Sequence, residues 1–201
     1  MTSRLGRVAS GLRRRPAGNT NTSPGAASAL VVPVPDATRA TAAWPGEADR
    51  LTAAGMPFHV TVLYPFLAPE AIDEEVERAL EKIAGGTTRF GFSLAELGRF
   101  EQVLFMAPRP ADPFVALTRA VHEHWPEHPP YGGEFETVIP HVTLASGPEP
   151  EGLASAVESR LPIETEALEL WLLTPRSHGA WATRNRFALG SDRSGRPAPA
   201  P

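Results

Sequence analysis

The chain has no cysteine among its 201 residues. Disulfides, thiolate zinc sites, iron–sulfur clusters and a cysteine nucleophile are all excluded at once. Lysine is almost absent, Lys82 being the only one, so arginine carries the basic charge. There is no basic excess: the formal net charge is -4 and the sequence pI is about 5.9. A basic groove for a long nucleic-acid duplex is therefore not written into the composition, whereas a small anionic ligand is compatible with it. No stretch approaches the roughly 18 uninterrupted apolar residues of a membrane span, so no membrane partner is expected. The Arg-rich start lacks the apolar centre of a signal peptide, which points to the cytoplasm.

What is present is ordinary for a globular protein, with 42% hydrophobic and 21% charged residues. Residues 1–27 and 191–201 are too polar and too rich in Pro, Gly or Arg to bury a core, and are expected to be disordered tails. Residues 28–190 read as one domain, and nothing such as a heptad run argues against a monomer. Ala29 to Val34 is a strand candidate whose Pro33 suggests an edge or bulged position. Residues 38–54 suggest a helix broken at Trp44-Pro45-Gly46. His59 to Phe66 is a second strand. Ile72, Val76, Leu80 and Ile83 recur at helical spacing before Gly85-Gly86. Phe90–Leu97 and Gln102–Ala107 read as a hairpin turning at Gly98. A helix opens with Asp112 as N-cap, with Phe114, Leu117, Val121 and Trp125 inward. Another helix is expected at about 150–161. Glu166–Leu173, with Leu168, Leu170 and Leu172 inward, and Ala180–Leu189 would form a closing hairpin. This order predicts an α+β fold of antiparallel sheet with helices on one side.

One tripeptide occurs twice: His59-Val60-Thr61 and His141-Val142-Thr143. With six histidines in the chain, composition alone predicts about 0.03 such strings. Each copy follows a proline and runs into apolar residues, and the surrounding elements rhyme, which suggests an internal duplication. In a strand, residues i and i+2 share a face, so each histidine projects with its threonine while the valine turns to the other side. If the two strands lie side by side, two imidazoles and two hydroxyls meet. One imidazole can serve as general base and the other as general acid, while the hydroxyls hold the non-bridging oxygens of a phosphate. A zinc site would need a third ligand at consistent spacing, which is missing, so no metal or cofactor is expected. His122, His124 and His128 do not share one helical face and read as a solvated surface.

The paired motifs, in the strings His59-Val-Thr-Val-Leu-Tyr-Pro-Phe66, Pro129-Pro-Tyr-Gly-Gly133 and Ile139-Pro-His-Val-Thr143, resemble the 2H phosphoesterase superfamily, and more narrowly its 2′-5′ RNA ligase-like proteins. The resemblance spans about residues 28–190. It implies two pseudo-symmetric lobes of antiparallel sheet with outer helices around a central cleft. It also implies metal-independent cleavage of 2′,3′-cyclic phosphates or related RNA phosphodiesters, with a cyclic-phosphate nucleotide or RNA end as partner and His59, Thr61, His141 and Thr143 as catalytic residues. The sequence leaves open which histidine is acid and which base. A 2′-5′ RNA ligase and a non-catalytic nucleotide or RNA-end binding module are the alternatives. Tyr131, in the Gly-flanked loop, is the candidate substrate-binding residue. Phe105 and Trp181 read as core. Tyr64, of opposite strand parity to His59, is expected to face away from the cleft. Arg184 and Arg186 are expected to share one face of the last strand.

Overall fold

A computed structural model describes residues 27–41, 54–100, 103–134, 137–148 and 151–191. The expected tails, apart from Ala27 and Ser191, and most of the expected broken helix lie outside these residues. The strands are β1 (Ala29–Pro33), β2 (His59–Leu63), β3 (Phe90–Phe100), β4 (Val103–Arg109), β5 (Val142–Ser146), β6 (Ile163–Ala167), β7 (Glu169–Pro175) and β8 (Trp181–Ala188). The helices are α1 (Ala37–Ala40), α2 (Glu74–Gly86), α3 (Asp112–His124) and α4 (Leu153–Glu158). The fold is α+β: one eight-stranded sheet in the order β6-β3-β4-β5-β2-β1-β7-β8, with every strand pair antiparallel.

Two four-stranded halves meet at its centre, where β2 and β5 pair through Val60 and Val142. A single residue, Leu168, joins β6 to β7, although these strands stand on opposite sides of the order. The sheet must therefore curl until its ends approach. The seam is tied by the Arg89 N–H donating to the Gly190 carbonyl at 2.8 Å and the Leu189 N–H donating to the Leu168 carbonyl at 2.8 Å.

The main core lies between one face of this sheet and the helices. α2 begins where Asp73 accepts from the N–H groups of Glu75 and Val76, both at 3.0 Å, with Glu74, Glu75 and Glu77 in the positive first turn. It buries Leu80 and Ala84. α3 buries Phe114, Leu117 and Val121, and the Phe114 ring meets Phe90 and Phe92 edge-on at 4.9 Å each. These join Leu30, Val32, Val60 and Val142 from the sheet. Burial of this order, at about 25 cal/mol per Å², is the main force holding helices to sheet.

Several local expectations are corrected. Asp112 is the first residue of α3, the N-cap is Ala111, and no side chain caps the end. Gly98 lies inside β3 opposite Phe105, not at the turn. Pro33 ends an interior strand and is not at the bulge; it still pairs with His59 of β2, but the pairing of β1 with β7 has already ended at Val31. The closing segment is split at Leu168: β6 pairs with β3, while β7 forms the expected hairpin with β8 and pairs with β1 on its other side. Leu168 itself is 49% exposed, because it is the crossing residue and not part of the alternation. Among the described residues no helix is long and apolar enough to cross a membrane.

Candidate active site

Pairing of Val60 with Val142 fixes what surrounds it. Carrying the antiparallel register one residue each way sets His59 opposite Thr143 and Thr61 opposite His141. All four point to the face away from the helices, because Val60 and Val142 are fully buried in the main core. Two imidazoles and two hydroxyls thus alternate across the central strand pair.

The two rings are held alike. Nδ1 of His59 bonds the Pro57 carbonyl at 2.7 Å, and Nδ1 of His141 bonds the Ile139 carbonyl at 2.8 Å. A carbonyl only accepts, so Nδ1 carries the proton in both, and each Nε2 is left as the atom that can take or give one. Burial is the largest influence on both rings and pulls each below the ordinary histidine pKa. The bonds to the carbonyls oppose this, and the nearness of His141 lowers His59 further. In the free protein at neutral pH both imidazoles are uncharged.

The strands bearing the motifs share one irregularity. Thr61 faces Val31 while Leu63 faces Leu30, so Val62 is an extra residue. Thr143 faces Phe105 while Ala145 faces Leu104, so Leu144 is extra at the same offset. These are β-bulges, each turning two successive side chains into the core. Val62, Leu63, Leu144 and Ala145 are indeed all core residues. The bulge reverses the parity beyond it. Tyr64 therefore lies on the histidine face, contrary to the expectation from a regular strand. It packs against the cluster of Ala29, Val31 and Leu173 and meets Trp181 edge-on at 6.1 Å.

Phe105 and Trp181, read as core, belong to this same face. Phe105 is fully buried but lies outside the main core. Its ring stacks on Phe100 at 4.1 Å and sits 5.3 Å from the His141 ring, with Phe100 edge-on to His141 at 5.1 Å. The two phenylalanines account for much of the burial of His141. They need Gly98 beneath them, since a Cβ there would run into the Phe105 ring. Gly98→Ala is expected to cost about 1–3 kcal/mol in a denaturant titration, through the displaced ring. An unchanged midpoint would show that the ring moves freely.

The last strand also departs from expectation. Leu172 faces Asn185 while Leu173 faces Thr183, so β8 bulges at Arg184. Arg184 turns toward the helix side, bonding Glu77 at 2.9 Å and the carbonyls of Pro69 and Ile72 at 3.1 and 2.6 Å. Arg186 lies on the opposite side, its guanidinium 4.1 Å above the Trp171 ring. The two arginines do not share a face.

Tyr131 sits in a 3₁₀ turn, Pro130–Gly133, with φ at 53°. Its N–H donates to the Tyr64 carbonyl at 2.6 Å, anchoring the loop just past β2. Burial pushes its phenol up to about 12, so it stays a donor at any working pH. The remaining histidines do not form a site. His128 packs near Phe66 at 6.0 Å and His124 on Trp125 at 4.4 Å, while Nδ1 of His122 is buried without a partner. His124 is exposed as the solvated-surface reading has it, whereas His122 and His128 are partly buried, and among the described residues no three metal-ligating side chains gather.

Phe100 and Trp171 are members of this face that the motifs do not reveal. For Trp171 the sequence holds a signal: it alternates with Leu170 and Leu172, so it has to face away from the core they build.

The family model of the 2′-5′ RNA ligase superfamily matches residues 32–179. Among solved structures, the chain is similar in fold to Escherichia coli LigT complexed with NADP+. The TM-score is 0.52 and the identity 19%, over 84% of this chain and 100% of that one. Escherichia coli LigT complexed with ATP gives the same TM-score and identity, over 82% and 98%. So does TT0787 of Thermus thermophilus, also over 82% and 98%. No curated protein matches significantly.

Proposed function

The chain belongs to the 2′-5′ RNA ligase superfamily of 2H phosphoesterases, and we propose that it hydrolyses 2′,3′-cyclic phosphates or related RNA phosphodiesters by two-histidine acid–base catalysis. The observation that carries this reading is the pair of imidazoles on neighbouring strands, each with Nδ1 tied to the carbonyl two residues back. Binding alone needs no such pair. Two free Nε2 atoms can flank one phosphorus, one neutral and one protonated.

The step is in-line. The neutral imidazole accepts a proton from water as its oxygen bonds to phosphorus. The bond from phosphorus to one ribose oxygen breaks, and the imidazolium Nε2–H protonates that oxygen. Thr61 and Thr143 donate hydroxyl hydrogen bonds to the non-bridging oxygens, where charge grows in the transition state. Tyr131, whose loop is tied to the chain just past β2, supplies the substrate contact. LigT is described in complex with NADP+ and with ATP, which supports a nucleotide as the ligand class here.

The test is incubation of the purified protein with 2′,3′-cyclic AMP in excess chelator, with products resolved by chromatography. A single AMP isomer, formed at a rate the chelator does not change, is expected. Binding without turnover would replace this reading with that of a nucleotide-binding module.

A further inference from the structure

The histidine face is not symmetric. A row of paired residues runs across it from Thr61 to Val31, then to Trp171 and Arg186. In the other half the matching row runs from Thr143 to Phe105 and ends at Gly98. There the plane is closed: Phe105 is 0% exposed and covers the glycine. On the first side Val31 is covered too, at 1% exposed, with Met56, Tyr64, Trp171 and Trp181 packed on its cluster, but the far end of the row is accessible. Trp171 is half-buried and Arg186 is exposed.

This accessible end is held in place. The Trp171 Nε1–H donates to the Glu169 carboxylate at 2.6 Å, which fixes the rotation of the indole. The guanidinium of Arg186 rests 4.1 Å above that indole, and among the described residues no carboxylate pairs with it. Two stacked planar groups, one cationic, with an exposed outer surface are suited to an aromatic ring carrying lone pairs.

Distance fits the same reading. Strands are roughly 4.8 Å apart, so Trp171 lies about 10 Å along the row from Thr61. A nucleoside reaches that far from its own phosphate. We propose that Trp171 and Arg186 form the nucleobase-holding surface of this site. The substrate phosphate lies between the histidines and its base caps the guanidinium–indole stack. The nucleoside then occupies the β1–β7–β8 side, and the Phe100–Phe105 side excludes a base. This rests on the hydrolytic reading for the placement of the phosphate, but not for the base contact.

The experiment compares kcat/KM for 2′,3′-cyclic AMP and for ribose 2′,3′-cyclic phosphate, which has no base. The preference for the former is expected to fall roughly ten-fold in Trp171→Ala and in Arg186→Ala, through KM, and to return in Trp171→Phe. Arg186 is exposed, so its variant reports on the contact even if Trp171→Ala unfolds. Calorimetric titration with AMP, against ribose 5-phosphate, is run in parallel. If the wild type turns over neither cyclic phosphate but AMP binding still weakens ten-fold in the variants, the hydrolytic reading falls and the base site stands. If the preference and the AMP affinity both stay within two-fold of wild type, the base site is overturned.

Discussion

His59→Ala and His141→Ala each lower kcat/KM toward 2′,3′-cyclic AMP by about 10³-fold, the middle of the range for loss of a positioned acid or base. The double variant is expected to be little worse than either single one. Two groups that act in the same step do not contribute additively once one of them is gone. Stability is the necessary control. Each substitution removes one hydrogen bond to a loop carbonyl, worth about 1 kcal/mol net. The melting temperature should therefore move by only a few degrees. Activity within ten-fold of wild type in either variant would end the acid–base assignment. Loss in one variant alone would leave a single working imidazole and a mechanism in which water or substrate supplies the other proton.

The central geometry is open to sequence reasoning because it depends on a period of two. His59 and Thr61 share a face in any extended strand, and the repeat at His141 implies a matching partner strand. What stays hidden are the places where a strand gains a residue. The bulges at Val62 and Leu144 involve aliphatic residues that look the same whether they alternate or both turn inward. Each reverses parity beyond it, which is why Tyr64 lies on the face opposite to the one regular alternation predicts. The bulge at Arg184 separates it from Arg186 for the same reason. Gly98 illustrates a different failure. A glycine between two strand-like runs suggests a turn, but here it leaves room for the Phe105 ring, and only the three-dimensional partner distinguishes the two uses. Leu168 has the right spacing for the core, yet the sheet crosses at that residue and exposes it. Helix α2, whose apolar period and flanking signals agree, forms close to where the sequence predicts it, at Glu74–Gly86, with Ile72 just before it and Gly85-Gly86 in its last turn.

Acidity at the two rings predicts where the enzyme works. Desolvation lowers both imidazoles below 6.5, and His141 adds to the lowering at His59. The reaction needs one proton shared between the pair: none leaves no acid, two leave no base. As pH falls from neutrality the first proton enters only below 6.5, at the higher of two apparent pKa values that belong to the pair. The profile of kcat/KM, which reports the free enzyme, is therefore a bell with its maximum below about pH 6.5. Its alkaline limb loses about ten-fold per pH unit, so two units above the limb's pKa activity is down roughly hundred-fold. A bound phosphate anion favours the imidazolium, so the profile of kcat is displaced to higher pH than that of kcat/KM. Rates measured from about pH 4.5 to 9 at saturating and limiting substrate separate the two. A kcat/KM maximum above about pH 7.5, or a profile flat across that range, would mean that the buried pair does not share the working proton.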